Sequence, residues 1–188
     1  LIHPEIANNT GTIGRTAAAT GSVLHIFHPF GFEMSAKARG RAGLDYWDQV
    51  DCREHASWEA FLEAERPSRI WALSARAANP VWEAAIQPGD YLLFGCETSG
   101  IPAEIQNWAV AHNGESCLIG LRVHPPARSL NLACAVTAVV YEGLRQLGQD
   151  ILVAKAQRRS HLTYGRLGRS DHCSRRSRAG KVARGDGD

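Results

Sequence analysis

Five polar residues stand at points where the chain has to change direction. Asn9 and Arg15 frame the run Asn9-Thr10-Gly11-Thr12-Ile13-Gly14-Arg15. Glu97 lies in Gly95-Cys96-Glu97-Thr98-Ser99-Gly100, directly after an apolar stretch. Ser129 and Asn131 precede the longest helix-forming run of the chain. An amide pair, a carboxylate, a hydroxyl and a guanidinium can orient a polar ligand, help move a proton and neutralise an anion. Each also has a plainer reading. Asn9, Ser129 and Asn131 are ordinary helix-start residues, Glu97 suits a cap for a helix near Pro102, and Arg15 suits a solvated or salt-bridged position. Tyr141, Glu142 and Arg145 read equally well as a surface salt-bridge set.

Other chemistries lack their residues. No metal is expected, because the chain has neither an HxxxH pair nor a carboxylate cluster. Its five cysteines, Cys52, Cys96, Cys117, Cys134 and Cys173, include no CxxC pair, which argues against zinc and against a disulfide framework. A reducing, cytoplasmic setting fits that pattern. The phosphate-binding loop GxxxxGK[ST] is absent, as is GxGxxG after a strand.

The elements that must position these groups alternate. Leu1–His3 reads as the clipped end of a strand, with Pro4 at its exit. A polar loop over residues 8–15 and a short helix ending at Gly21 follow. Strands are expected at Val23–Phe27, Arg69–Leu73, Tyr91–Phe94 and Cys117–Val123. Helices are expected at Ser57–Glu65, from Pro102 to about Val110, and at Asn131–Gly148, where Leu132, Val136, Val139, Val140, Leu144 and Leu147 keep helical spacing. Glu33–Arg41 reads as an exposed basic helix or loop. This order argues for an α/β fold, a mostly parallel sheet with helices on both faces. In such sheets ligands bind at the carboxyl ends of the strands, where the three polar clusters are expected to meet.

The chain has 188 residues, 44% of them hydrophobic, enough for one domain over 1–150. No apolar run is long enough for a membrane helix. The formal charge of +2 is uneven: residues 155–188 hold 10 of 21 Lys+Arg and 3 of 19 Asp+Glu, a surplus of +7 that leaves 1–154 at −5. Residues 151–188 therefore read as a basic, disordered tail, and any nucleic-acid site on the body must be a local patch.

Taken in order, the three clusters resemble the SPOUT family of RNA methyltransferases. Asn9 to Arg15 is similar to its first motif, Asp90 to Pro102 to its second, and Arg128 to Glu142 to its third. Pro4-Glu5-Ile6, Arg41 to Tyr46 and Tyr141 to Gly148 point to the branch that methylates the wobble ribose of tRNA. Thr12, Cys96, Ser99, Ala133 and Cys134 depart from that branch's usual residues. The resemblance implies a C-terminal trefoil knot and a homodimer. It also implies S-adenosyl-L-methionine held at Leu73, Gly95, Leu121 and Ser129. Its substrate would be tRNA, and its site residues would be Asn9, Arg15, Glu97, Ser129 and Asn131. Other readings are a 2′-O-methyltransferase for another tRNA or ribosomal RNA position, and a non-catalytic RNA-binding module of the same fold.

Overall fold

The computed structural model describes residues 1–33 and 46–148. Lys37, Arg39, Arg41 and the basic tail lie outside them. The strands are β1 (Leu24–Phe27), β2 (Cys52–His55), β3 (Ile70–Leu73), β4 (Asn79–Pro80), β5 (Tyr91–Leu93) and β6 (Leu118–Gly120). The helices are α1 (Ala7–Thr20), α2 (Trp58–Glu65), α3 (Ala103–Asn113) and α4 (Leu132–Leu147).

All strand pairing is parallel, in the orders β1-β2 and β4-β6-β3-β5. Leu1 and Ile2 join the two ladders. The Phe27 N–H donates to the Leu1 carbonyl at 3.0 Å, and the Ile2 N–H donates to the Phe94 carbonyl at 2.9 Å. Strand alternation divides the core in two, as the two-residue period of a strand requires. Leu1, Ile26 and Phe94 face a cluster with Ile13 and Ala17 of α1 and Val136 and Val139 of α4. Ile2, Phe27 and Leu93 face a second cluster with Phe61 of α2 and Ile105 and Ala109 of α3. The sheet is thus covered on both faces, as the alternation of elements predicts.

The first motif corrects the expected loop followed by a short helix. Residues 7–20 form one continuous helix that contains Gly11 and Gly14. Glycine disfavours a helix interior by roughly 1 kcal/mol relative to alanine, but here both positions are tightly packed. A Cβ on Gly14 would lie 2.5 Å from the Trp47 ring, and the Tyr46 hydroxyl donates to the Gly11 carbonyl at 2.6 Å. Thr12, Thr16 and Thr20 each turn their hydroxyl back onto the carbonyl four residues earlier. Close packing against Tyr46 and Trp47 therefore overrides local propensity. Gly21 closes the helix in the left-handed region at φ 66°, as expected.

Elsewhere the boundaries move little. Ser57 caps α2 by accepting from the Ala60 N–H at 3.2 Å. The strand expected over 117–123 is shorter, because Cys117 ends a 3-10 turn and residues 121–123 leave the ladder. β2 and β4 were not foreseen. The first is polar, and the second is two residues long and contains Pro80.

Four elements, β1, β2, α2 and β5, meet around a polar network beside the second cluster. His25 Nδ1 and His55 Nε2 are 2.9 Å apart. Glu65 accepts from Arg53 at 3.0 and 3.1 Å and from the Tyr91 hydroxyl at 3.2 Å. The ligand atoms of His25, His55 and Glu65 lie within 4.8 Å of one another, but the Glu65 oxygens are already engaged by Arg53 and Tyr91. Burial lowers the His25 pKa from 6.5 to about 4, against the opposing pull of Glu65. Between those values the unfolded chain binds a proton that the folded chain refuses, so stability falls as pH drops through this window. The loss from this group is up to ~3 kcal/mol. Urea unfolding of the parent and of His25→Gln across pH 7.5 to 4 should show a shallower pH dependence in the variant. Equal slopes would remove His25 as a cause.

Candidate active site

The cleft that carries the three motifs opens at the carboxyl ends of β3, β5 and β6. Its volume is about 690 Å³, and Leu73, Gly95, Leu121 and Ser129 all line it, together with Asn9, Glu97 and Asn131. Each strand contributes the residue at or just after its end, which is why positions far apart in sequence reach one rim.

The β5 exit makes the tightest bend. Cys96 and Gly100 pair across it, with N–H to carbonyl distances of 3.2 and 3.1 Å. Gly100 has φ 74°, a region that favours glycine. At Gly95 a Cβ would collide with the Gly100 backbone. The two glycines therefore bring the chain back on itself and aim Glu97 towards α1.

Glu97 begins a relay of side chains. It accepts from the Glu5 N–H at 2.9 Å, from the Ile6 N–H at 3.3 Å and from Asn9 Nδ2 at 2.9 Å. The Asn9 carbonyl oxygen accepts from Asn131 Nδ2 at 2.9 Å. The Asn131 carbonyl oxygen accepts from the Ala133 and Cys134 N–H groups at 2.9 and 3.3 Å and so caps α4. Asn9 is 8% exposed, so its amide depends on these partners. The plainer reading of Glu97, a cap for the helix after Pro102, does not hold. Glu97 instead serves the N-terminal end of α1, whose preceding residue Ile6 has no side chain able to cap. A carboxylate there also faces the positive end of the helix dipole.

Arg15 does not line this cleft. Six residues separate it from Asn9, which on a helix is about 9 Å of rise and roughly 120° of rotation. It is exposed, with its guanidinium 4.3 Å from the centre of the Tyr46 ring. Sequence reasoning missed Arg76, which lines the cleft from the turn after β3. Its position one turn beyond a strand end was the available signal.

The arrangement joins a largely apolar floor to a polar wall that offers amide N–H groups. It can hold an aromatic or aliphatic body and orient polar handles at one side. Removing Glu97 would leave Asn9 and two backbone N–H groups without their acceptor. Glu97→Ala should cost about 2–3 kcal/mol in thermal or denaturant unfolding, with Glu97→Gln losing less. A stability unchanged in Glu97→Ala would show that the relay does not hold α1.

Comparison with known proteins places this geometry. The SpoU rRNA Methylase family model matches residues 1–141. The tRNA (cytidine(34)-2′-O)-methyltransferase of Saccharophagus degradans is 43% identical over 148 residues, covering 79% of this chain and 94% of that protein. The Escherichia coli K12 protein of the same name is 45% identical over 148 residues, covering 79% and 92%. A solved structure described as giving insights into the 2-OH methylation of C/U34 on tRNA is 46% identical, covers 77% of this chain and 91% of that one, and superposes with a TM-score of 0.68. AviRb of Streptomyces viridochromogenes, a SpoU methyltransferase solved with AdoMet, shares the fold at 21% identity and a TM-score of 0.63, covering 77% and 55%. By fold, by the motifs gathered at one cleft and by sequence over three-quarters of its length, the chain belongs to the SpoU methylase family.

Proposed function

We propose that this chain is an S-adenosyl-L-methionine-dependent methyltransferase that modifies the ribose 2′-hydroxyl of the wobble nucleotide, position 34, of tRNA. The observation that carries this reading is the convergence of Asn9, Glu97, Ser129 and Asn131 on the cleft floored by Leu73, Gly95 and Leu121. It is supported by relatives at 43% and 45% identity that bear this activity in their names. Trefoil threading of the C-terminal segment, a homodimer and a tail separate from the domain over 1–150 belong to the same proposal.

The floor fits the cofactor. Gly95 lines the cleft with backbone alone, and Leu73 and Leu121 can cover an adenine. When bound, S-adenosyl-L-methionine supplies an electrophilic methyl group. The chain's residues then have to place a ribose oxygen about 3 Å from the methyl carbon and assist loss of its proton. Ser129 and Asn131 orient the ribose by hydrogen bonds, and Asn9 and Glu97 hold Asn131 in place.

Arg15 enters as a phosphate anchor that also stabilises charge developing on the ribose oxygen. A guanidinium holds its proton tightly, which disfavours a role as proton acceptor. Because it faces away from the cleft of its own chain, it would serve the cleft of a second copy.

Labelled S-adenosyl-L-methionine with bulk tRNA, followed by nucleoside analysis and mapping, should place the label on the 2′-oxygen of nucleotide 34. Label at another tRNA position, or on ribosomal RNA alone, would replace this substrate. Arg15→Lys should lower turnover and weaken tRNA binding together. Complete loss of turnover with tRNA affinity intact would return the base role to Arg15.

A further inference from the structure

The arginines of the described residues are unevenly employed. There are eight, and no lysine. Arg53, Arg69 and Arg145 are held in ion pairs with Glu65, Asp90 and Glu142, and Arg15 lies over Tyr46. Arg66, Arg76, Arg122 and Arg128 have no ion-pair partner among the described residues, and all four are exposed. Arg66 follows the end of α2, whereas the other three fall on the carboxyl edge of the sheet, beside the cleft.

The backbone carries two of them on adjoining segments. The turn after β3 folds onto the end of β6. The Ser74 N–H donates to the Ile119 carbonyl at 2.9 Å, and the Ala77 N–H donates to the Ser74 carbonyl at 3.2 Å. A Cβ on Gly120 would lie 3.1 Å from the Ser74 oxygen and 3.3 Å from that of Ala77. Arg76 is carried on this turn, and Arg122 follows Gly120 by two residues. Next to β6, the edge strand β4 pairs Pro80 with Gly120. Beyond that pair both segments leave the ladder, Val81–Glu83 as a 3-10 turn, and the Arg122 guanidinium lies 5.6 Å from the centre of the Trp82 ring. Trp82 is 46% exposed.

We infer that Arg76, Arg122 and Trp82 form a docking arc for the substrate RNA, the two guanidiniums holding backbone phosphates next to the target nucleotide and Trp82 stacking an unpaired base. This rests on the functional reading above. Three observations favour RNA over a second protein or the cofactor. Residues 1–154 carry a formal charge of −5, so a polyanion needs local cations, and those without partners include these two. An exposed indole with a guanidinium beside it is a platform for a base, since bases stack on both groups. Finally, Arg76 stands at the exposed mouth of the cleft rather than on its floor, within reach of a substrate laid across it. Phosphate contacts fix the register of the RNA and leave identification of the nucleotide to other groups.

The test measures binding apart from methyl transfer. Bulk tRNA is titrated in a filter-binding assay over a potassium chloride series, against the full chain and Arg76→Ala, Arg122→Ala, the double variant, Arg76→Lys, Trp82→Ala and Trp82→Phe. S-adenosyl-L-methionine binding is followed in parallel by calorimetry. Each single arginine variant should bind tRNA about fivefold more weakly. Each should also flatten the logarithmic salt slope by about 0.7, the value for one single-strand phosphate. Arg76→Lys should restore most of that slope. Trp82→Ala should lose about tenfold in affinity with the slope unchanged, and Trp82→Phe should recover most of it. Cofactor affinity should stay within about twofold throughout, a range well below the tenfold step of about 1.4 kcal/mol. If the parent binds and methylates tRNA but these variants match it, the arc is overturned and the functional reading stands. If Arg76→Ala weakens the cofactor and not the RNA, Arg76 belongs to the cofactor and the arc is overturned. If the parent binds no tRNA at any salt concentration, both readings fall together.

Discussion

One carboxylate organises this structure. Glu97 is presented by a bend that two glycines permit, and it accepts from two backbone N–H groups ahead of α1 and from Asn9. Asn9 in turn receives Asn131, and Asn131 caps α4. The exit of β5, the start of α1 and the start of α4 are thereby fixed to one another by side chains alone. Hydrogen bonds to a charged group are worth roughly 1.5–3 kcal/mol each. Loss of any member also strands a partner that water cannot easily reach. The same contacts that hold the helices in position thus shape the polar wall of the cleft, so stability and binding geometry cannot be altered independently here.

The relay has a polarity that bears on its chemistry. It ends in a carboxylate at one side and in backbone donors at the other, which fixes both amides with their oxygens committed. What remains available to a ligand from Asn9 and Asn131 is N–H. The wall can steady an oxygen or a developing negative charge, but these two amides cannot take a proton from a hydroxyl. A proton acceptor for ribose methylation has to be found outside the amide pair.

Much of this was legible in the sequence. The alternation of apolar runs specified a parallel sheet with both faces covered, and the family resemblance named Leu73, Gly95, Leu121 and Ser129, which line one cleft at the strand ends. Asn131 was readable as a cap from its place before Leu132. The helical state of residues 7–15 was not readable, because Gly11 and Gly14 speak against a helix until Tyr46 and Trp47 are packed upon them. That helix also carries Arg15 out of the cleft of its own chain, six positions on from Asn9. Nor could sequence assign Glu97 to α1 rather than to the nearer α3, since that choice is made by a contact between residues 88 apart. β2 was hidden by its polarity. Its register with β1 is set by main-chain pairing, and only His55 is buried.

The two outer strands limit how copies of this molecule can associate. β4 carries Pro80, which has no N–H to offer a neighbouring strand. β2 presents Arg53 and Glu54, side chains that oppose lateral addition of a further strand. Neither border of the sheet invites a further strand, while Ile6, Leu130 and Tyr141 stand exposed elsewhere on helices and loops. A continuous sheet running from copy to copy is thereby disfavoured at both borders.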